Sequence, residues 1–394
     1  MMRTRNRMVQ YSLAVWVGML VAGAGAARGD GPLGELSPEF KQVLGPREWA
    51  FPEDHGKHAG YKTEWWYFSG NLRDKAARRF GYQLTFFRVA SAPKATTQPG
   101  GLVPHDLYFV HAAISDIAQK RFVFKDRMRR ERVGIAEASD CTLDVHMKDW
   151  GAMLNETGKT VLTAKEEGFG IDLVADAGAG PVLEGPGGVN AKGTSRGQAS
   201  YYYSEPLMPT HGTLTIGSES FEVEGSTWMD HEFSSNPLGS NQAGWDWMAV
   251  SFADRSSLML YRIRSRSGVA DYVSGTSISP EGRAQYLSAN EIQMEGAQPW
   301  RSPNTDAEYP QQWRVVVSGR KPIVVRTLMT GQELLTPDTT GVNYFEGAAE
   351  AVDESGKAIG EGYLEMTGYD NREQTLLGSV TSFLKIAKEI WLTP

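Results

Sequence analysis

Five consecutive residues, Trp228-Met229-Asp230-His231-Glu232, place two carboxylates, an imidazole and an indole in one short span. A second polar-aromatic cluster, Glu64-Trp65-Trp66-Tyr67, lies far upstream. Carboxyl groups beside indole and phenol rings suit acid-initiated addition to, or rearrangement of, a carbon–carbon double bond. Asp230, or Glu64 beside it, would have to stay protonated, and an apolar pocket achieves this by disfavouring the charged form. Protonation of an alkene leaves a carbocation, which the faces of Trp65, Trp66, Tyr67 or Trp228 can stabilise by cation–π attraction. Water held by His231 or His111 would complete a hydration. The plainer reading is structural: the rings fill a barrel, and the Asp230-His231 pair ties its closing strands.

The remaining motifs carry less. Gly193-Thr194-Ser195-Arg196-Gly197 matches the nucleophile-elbow pattern by letter, but it sits in a glycine-rich loop without strand–turn–helix surroundings. His55 and His58 form a His-x-x-His pair upstream of Glu64. A metal site needs three or four converging ligands, so no metal is expected there. The chain has no phosphate loop, dinucleotide fingerprint or Cys–His zinc pattern, and no cofactor is expected. The run Arg127-Met128-Arg129-Arg130-Glu131-Arg132 reads as a solvated face or strand edge, with anionic lipid headgroups as an alternative partner.

The elements that must position these residues are strands. Period-2 alternation with aromatic and β-branched enrichment recurs at 65–72, 80–89, 108–114, 213–216, 221–229, 247–252, 258–263 and 313–317. Helical periodicity is convincing only near the C-terminus, where Phe383, Ile386, Ala387, Ile390 and Trp391 share a face. An internal repeat supports a duplicated β-domain. Glu64-Trp65-Trp66 and a strand ending Phe86-Phe87-Arg88 resemble Asp246-Trp247 and a strand ending Leu260-Tyr261-Arg262. Residues 108–115 line up with 272–279, setting His111 against Gly275, and Tyr203-Ser204-Glu205 lines up with Tyr344-Phe345-Glu346. If each copy closes as an up-and-down barrel, its first and last strands pair. The two polar-aromatic clusters then become neighbours. On a regular strand Asp230 and His231 point to opposite faces, so only one of them looks into the barrel.

At these residues the chain resembles the AttH family of secreted lipocalin-like proteins, related to the CrtC hydroxyneurosporene synthases (carotenoid 1,2-hydratases). The matching pieces are the string from His58 to Tyr67, the string from Phe109 to Asp116, Gly225-Ser226-Thr227-Trp228-Met229-Asp230-His231-Glu232 and Gly244-Trp245-Asp246-Trp247. The resemblance implies an all-β fold of two tandem lipocalin- or calycin-like antiparallel barrels, and affinity for an apolar ligand, an isoprenoid or lipid. The hydratase branch reads closer to Asp-His-Asn where this chain has Asp230-His231-Glu232. The expected catalytic residues are Asp230, Glu64 and His231. The expected ligand-binding residues are Trp65, Trp66, Tyr67, His111, Trp228, Glu232, Trp245 and Trp247.

Composition bounds the rest. The 394 residues carry 40 Lys+Arg against 47 Asp+Glu, a net charge of −7, which argues against nucleic acid as a partner. Hydrophobic residues at 41% and charged residues at 22% exclude disorder, collagen and coiled coil as the dominant state. Arg3, Arg5 and Arg7 precede an apolar run over 11–21 and the small residues Ala22-Gly23-Ala24-Gly25-Ala26-Ala27, the layout of a cleaved secretory signal over 1–27. That run is shorter than the roughly 20 residues of a membrane span, so no integral span is expected after cleavage. With Cys141 as the only cysteine, no intrachain disulfide can form. The expectation is an exported protein, periplasmic or secreted, with one barrel over 28–238, a second over 239–394 and a short C-terminal helix. It would bind a hydrophobic ligand, with hydratase or isomerase chemistry as the enzymatic alternative. A secreted hydrolase, or a binding module serving a membrane exporter, is the further alternative.

Overall fold

Along the strand Thr63–Asp74, Trp66, Phe68 and Leu72 join one apolar core while Tyr67, on the opposite face, joins another. A strand buried on both faces reads as a continuous apolar run, although its side chains still alternate. The computed structural model describes residues 40–91, 106–236, 238–239 and 241–370. It is an all-β protein of two large antiparallel sheets, of thirteen and ten strands, and the described residues contain no α-helix. The amphipathic stretch 383–391 lies outside the described residues. The described residues all fall within one compact unit.

The first sheet runs from the edge strand Arg121–Arg130 round to Ala136–Ala138, and a β-bridge between Arg132 and Ala136 nearly closes it into a barrel. Its opening strand Thr63–Asp74 pairs antiparallel with its last strand Glu219–Ser234, setting Trp65 opposite Glu232, Trp66 opposite His231 and Tyr67 opposite Asp230. The second sheet begins at Gln242–Phe252, which likewise pairs with the last strand, Ala358–Met366. In both sheets the two edge strands are consecutive in sequence, the mark of a sheet that curls on itself. Strands missed by pattern reading include Asp144–Met147, Trp150–Leu154, Thr160–Glu166 and Phe169–Ala175.

The duplication is visible in the ladders, with two corrections. Glu64 stands across from Arg88 in the first sheet and Asp246 across from Arg262 in the second, and both pairs are salt bridges, Nε to carboxylate at 3.0 and 2.6 Å. With Trp65 equivalent to Trp247, the ladders make His111 equivalent to Thr276, not Gly275. They also make Tyr202 equivalent to Glu346, three residues from the match expected for Glu205. An odd shift moves a side chain to the other face. Glu205 accordingly points inward while Glu346 points outward.

Each sheet wraps its own core, around Trp66, Phe68 and Trp150 in the first and Trp313, Phe345 and Met248 in the second. A third cluster, with Tyr67, Tyr202 and Trp228 from one sheet and Trp247, Tyr261 and Tyr363 from the other, lies where their outward faces meet. A Cβ on Gly81 would sit 2.6 Å from the Cβ of Ala348, so the sheets touch there. Asn71 Nδ2 donates to Gly362 O at 2.8 Å, Ser115 Oγ to Gln332 Oε1 at 2.6 Å, and Arg79 pairs with Glu350 at 3.0 Å. No helix of the described residues is long and apolar enough to cross a membrane.

Candidate functional site

Beside that contact the sheets part around a cavity of about 480 Å³. The first sheet contributes Trp65, Tyr67, Phe87, Phe109, Tyr202, Asp230 and Glu232, and the second contributes Trp245, Trp247, Tyr261, Glu346 and Glu365. Lys192 reaches in from the segment before the strand Ala199–Ile216. Of Asp230 and His231, it is Asp230 that faces the cavity, and it does so from the outside of the first barrel. The cavity lies between the sheets and not inside a barrel. The barrel interior is packed with side chains, whereas the outward face of the closing strands is roofed by the other sheet.

Asp230 is held firmly. Its Oδ1 accepts from Ser204 Oγ at 2.6 Å and from Trp228 Nε1 at 2.7 Å. Ser204 Oγ also stands 2.9 Å from Glu184 Oε1. One hydroxyl proton cannot serve two carboxylates, so Asp230 or Glu184 must itself be protonated and donate to Ser204. Burial pushes Asp230 up to about 7 and Glu184 up to about 8, with their mutual repulsion adding to the shift of Glu184. Glu365 is raised by burial to about 7, and Glu346, buried beside Glu365, lies well above the usual carboxylate range. Tyr67 OH donates to Glu346 Oε2 at 2.9 Å, and Trp247 Nε1 to Tyr202 OH at 3.1 Å. Lys192 Nζ pairs with Glu232 Oε1 at 2.8 Å and lies 5.3 and 4.6 Å from the ring centroids of Tyr202 and Tyr261. The cavity is therefore an apolar, aromatic chamber in which burial raises the pKa of the carboxylic acids Asp230, Glu346 and Glu365.

The inward face of the same strands carries a different cluster. Glu64 touches the cavity wall, yet its oxygens are taken by Arg88 Nε at 3.0 Å, His58 Nδ1 at 2.8 Å, His231 Nε2 at 3.0 Å and the His58 backbone N–H. Burial alone would raise Glu64, but Arg88 and the two histidines outweigh it and hold it well below its ordinary value. His58 also meets Asp54 Oδ1 at 2.9 Å through Nε2. Burial opposes its charge, and the two carboxylates still raise its pKa. From Glu64 a chain continues through His231 and Tyr203 OH (3.1 Å) to His55 (2.7 Å), which faces Glu205. His58, Glu64 and His231 bring three possible metal-ligand atoms within 4.8 Å of one another. Those atoms already hydrogen-bond one another, and Arg88 occupies the same carboxylate, so the donor set reads as a satisfied ion cluster.

The expected site residues thus divide. Trp65, Tyr67, Glu232, Trp245 and Trp247 line the cavity with Asp230. Trp228 lies beside it and orients Asp230. Trp66 stacks on His231 at 4.8 Å inside the first barrel, away from the cavity. His111 faces the second sheet instead, where Nδ1 meets Tyr344 OH at 2.6 Å and Nε2 meets Thr339 Oγ1 at 3.0 Å. Burial lowers it to about 3. Ser195 is exposed on a turn. Arg127 bonds Asp149 and Glu166 and stacks over Trp150. Sequence reading missed Lys192, Ser204, Glu184, Tyr202, Glu346 and Glu365. The repeat held the one available signal, because Glu365 stands opposite Trp247 as Glu232 stands opposite Trp65.

Fold and site define a class: a two-sheet, lipocalin-like β protein with an acid- and aromatic-lined chamber between its sheets. The chain belongs to the AttH-like family, whose family model matches residues 42–369. The crystal structure of an AttH protein from Nitrosomonas europaea matches with a TM-score of 0.76 and 30% identity, covering 84% of this chain and 100% of that one. Kievitone hydratase from Nectria haematococca shares the fold, with a TM-score of 0.63 and 15% identity over 84% of this chain and 97% of that one. No curated protein matches.

Proposed function

We propose that the protein binds a hydrophobic, unsaturated ligand of isoprenoid or lipid type between its sheets and adds water to, or isomerises, one of its double bonds. The observation that carries this reading is Asp230, a buried acid with one oxygen fixed by Ser204 and Trp228 and an apolar chamber before it. A volume of about 480 Å³ falls in the range of roughly 300–1,000 Å³ usual for small-molecule pockets. Asp230 gives its proton to one alkene carbon, the π electrons form the new C–H bond, and the carboxylate remains opposite the carbocation. The rings of Trp65 and Trp247 stabilise that cation. Water then adds and returns a proton to Asp230, giving an alcohol; loss of a neighbouring C–H proton to Asp230 gives an isomer instead. Residues 1–27 serve in this reading as a cleaved signal that delivers the protein to the periplasm or the outside, with 28–238 and 239–394 as its two halves.

The test is native mass spectrometry of the protein from its own compartment, followed by identification of extracted lipids. A hydrophobic ligand near one per chain is expected, with Asp230→Asn keeping the ligand and losing its conversion. An empty protein that takes up nothing from a panel of apolar alkenes overturns the reading. Conversion undiminished in Asp230→Asn removes Asp230 from the chemistry.

A further inference from the structure

We propose that the chamber between the sheets is a cation site, and that it prefers a ligand carrying an organic ammonium group over the neutral isostere of that ligand. The inference rests on the preceding reading only in placing the ligand between the sheets. Five carboxyl groups border the chamber, Glu64, Asp230, Glu232, Glu346 and Glu365, against the single ammonium of Lys192. Arg88 also borders it, but its guanidinium is bound to Glu64 and Asp106. The chamber already houses one ammonium ion of its own. Lys192 sits with a carboxylate at 2.8 Å and two ring faces around it, the arrangement by which proteins recognise alkylammonium ligands.

Asp230, Glu346 and Glu365 remain, together with Trp65, Trp245 and Trp247. Glu346 is 1% exposed, and its Oε2 accepts from Tyr67. An organic cation in the chamber would lie against these carboxyl groups and the indole faces beside them. The neighbours that act on these acids are acidic or neutral, apart from Lys192. They are Glu184, Glu232 and Tyr202 around Asp230, Tyr67 and Glu365 around Glu346, and Trp245, Asp230 and Glu232 around Glu365. Below about pH 7 burial holds the three acids neutral in the ligand-free chamber. An incoming cation stabilises the carboxylate form of one of them, so an ammonium ion enters as a proton leaves to solvent and the chamber's net charge is unchanged. The same exchange would suit a cationic intermediate formed in place.

The probes are benzyltrimethylammonium and neopentylbenzene, which differ only in a quaternary carbon replacing the nitrogen. Binding is followed by tryptophan fluorescence, and proton release by calorimetry near pH 6 in two buffers of different ionisation heat. The expected result is at least tenfold tighter binding of the cation, with release of about one proton per cation bound. Its affinity should rise about thirtyfold from pH 5.5 to 8.5, tenfold per pH unit until the carboxyl, which titrates at about 7 in the free chamber, is already ionised. Glu346→Gln should weaken the cation about tenfold and leave the neutral probe unchanged. Lys192→Met, which frees Glu232, should strengthen the cation, so the test survives a failure of either variant to fold. Equal or tighter binding of neopentylbenzene, or cation binding without proton release, overturns the proposal. If a neutral apolar ligand enters and the cation does not, this proposal fails and the apolar-ligand reading stands. If neither enters, both fail.

Discussion

Glu64→Gln separates a structural from a catalytic role for the acid that opens the first barrel. Its carboxylate and the Arg88 guanidinium are 0% and 1% exposed, with Nε 3.0 Å from Oε2. Neutralising Glu64 strands Arg88 with Asp106 at 2.7 Å and the carbonyls of His58 and Tyr61 at 3.1 Å, and leaves charged His58 with Asp54 alone. Removing one partner of a fully buried ion pair costs about 3–5 kcal/mol, and the surviving partners of Arg88 place this case near 3 kcal/mol. At roughly 2–4 °C per kcal/mol for a unit of 150–250 residues, the melting temperature should fall by about 6–12 °C at pH 7. Near-UV circular dichroism follows the transition. Glu64→Gln combined with Arg88→Met should recover at least half of the loss, because the second change removes the stranded cation. The folded carboxyl titrates well below 4.5, so the stability it contributes is present above that value and lost as the pH falls through the folded pKa. Wild type and variant should therefore converge in acid. A single variant melting within about 2 °C of wild type, or a double variant as unstable as the two losses added, would refute the reasoning.

Two further outcomes follow from the geometry. Asp230 titrates near 7 in the folded protein against an ordinary 3.8, so its favourable contribution is complete below 3.8 and is lost as the pH rises through about 7. Asp230→Asn should flatten the decline of stability across that window, measured as urea midpoints from about pH 4 to 8. His111→Ala removes a partner from Tyr344 and one from Thr339, which keeps Asp126 at 2.9 Å, and should cost about 1–3 kcal/mol. Ligand retention by native mass spectrometry should not change, because His111 does not line the chamber. The cost should be smaller at pH 5 than at pH 8, because the unfolded imidazole takes up a proton below its ordinary 6.5 while burial keeps the folded one neutral, a penalty that the alanine variant lacks.

Much of the architecture was legible in local pattern. The strand 63–74 announces itself through aromatic enrichment, and its pairing with 219–234 follows once a closed sheet is assumed. The repeated acid–arginine cross-strand pair, Glu64–Arg88 and Asp246–Arg262, could be aligned from residue types alone. The later matches slipped, by one residue at His111 and by three at Glu346, because short strands of similar composition align equally well in several registers. Only the ladder of hydrogen bonds fixes the register, and with it the face on which each side chain lies. That slip concealed Glu346 as a chamber acid.

By itself the sequence determined that the chain forms antiparallel strands in two related sets, that Asp230 and His231 face opposite ways, and that Trp228, Asp230 and Glu232 share a face. These follow from the period of two and from the pairing of first and last strands. Which of the two faces becomes the site was decided only by tertiary structure. An outward carboxyl on an isolated barrel would meet water and ionise. Here the two sheets cover each other's outward faces, removing that water and raising the pKa of Asp230, Glu346 and Glu365. Burial of this kind depends on atoms more than a hundred residues away, and no local spacing encodes it.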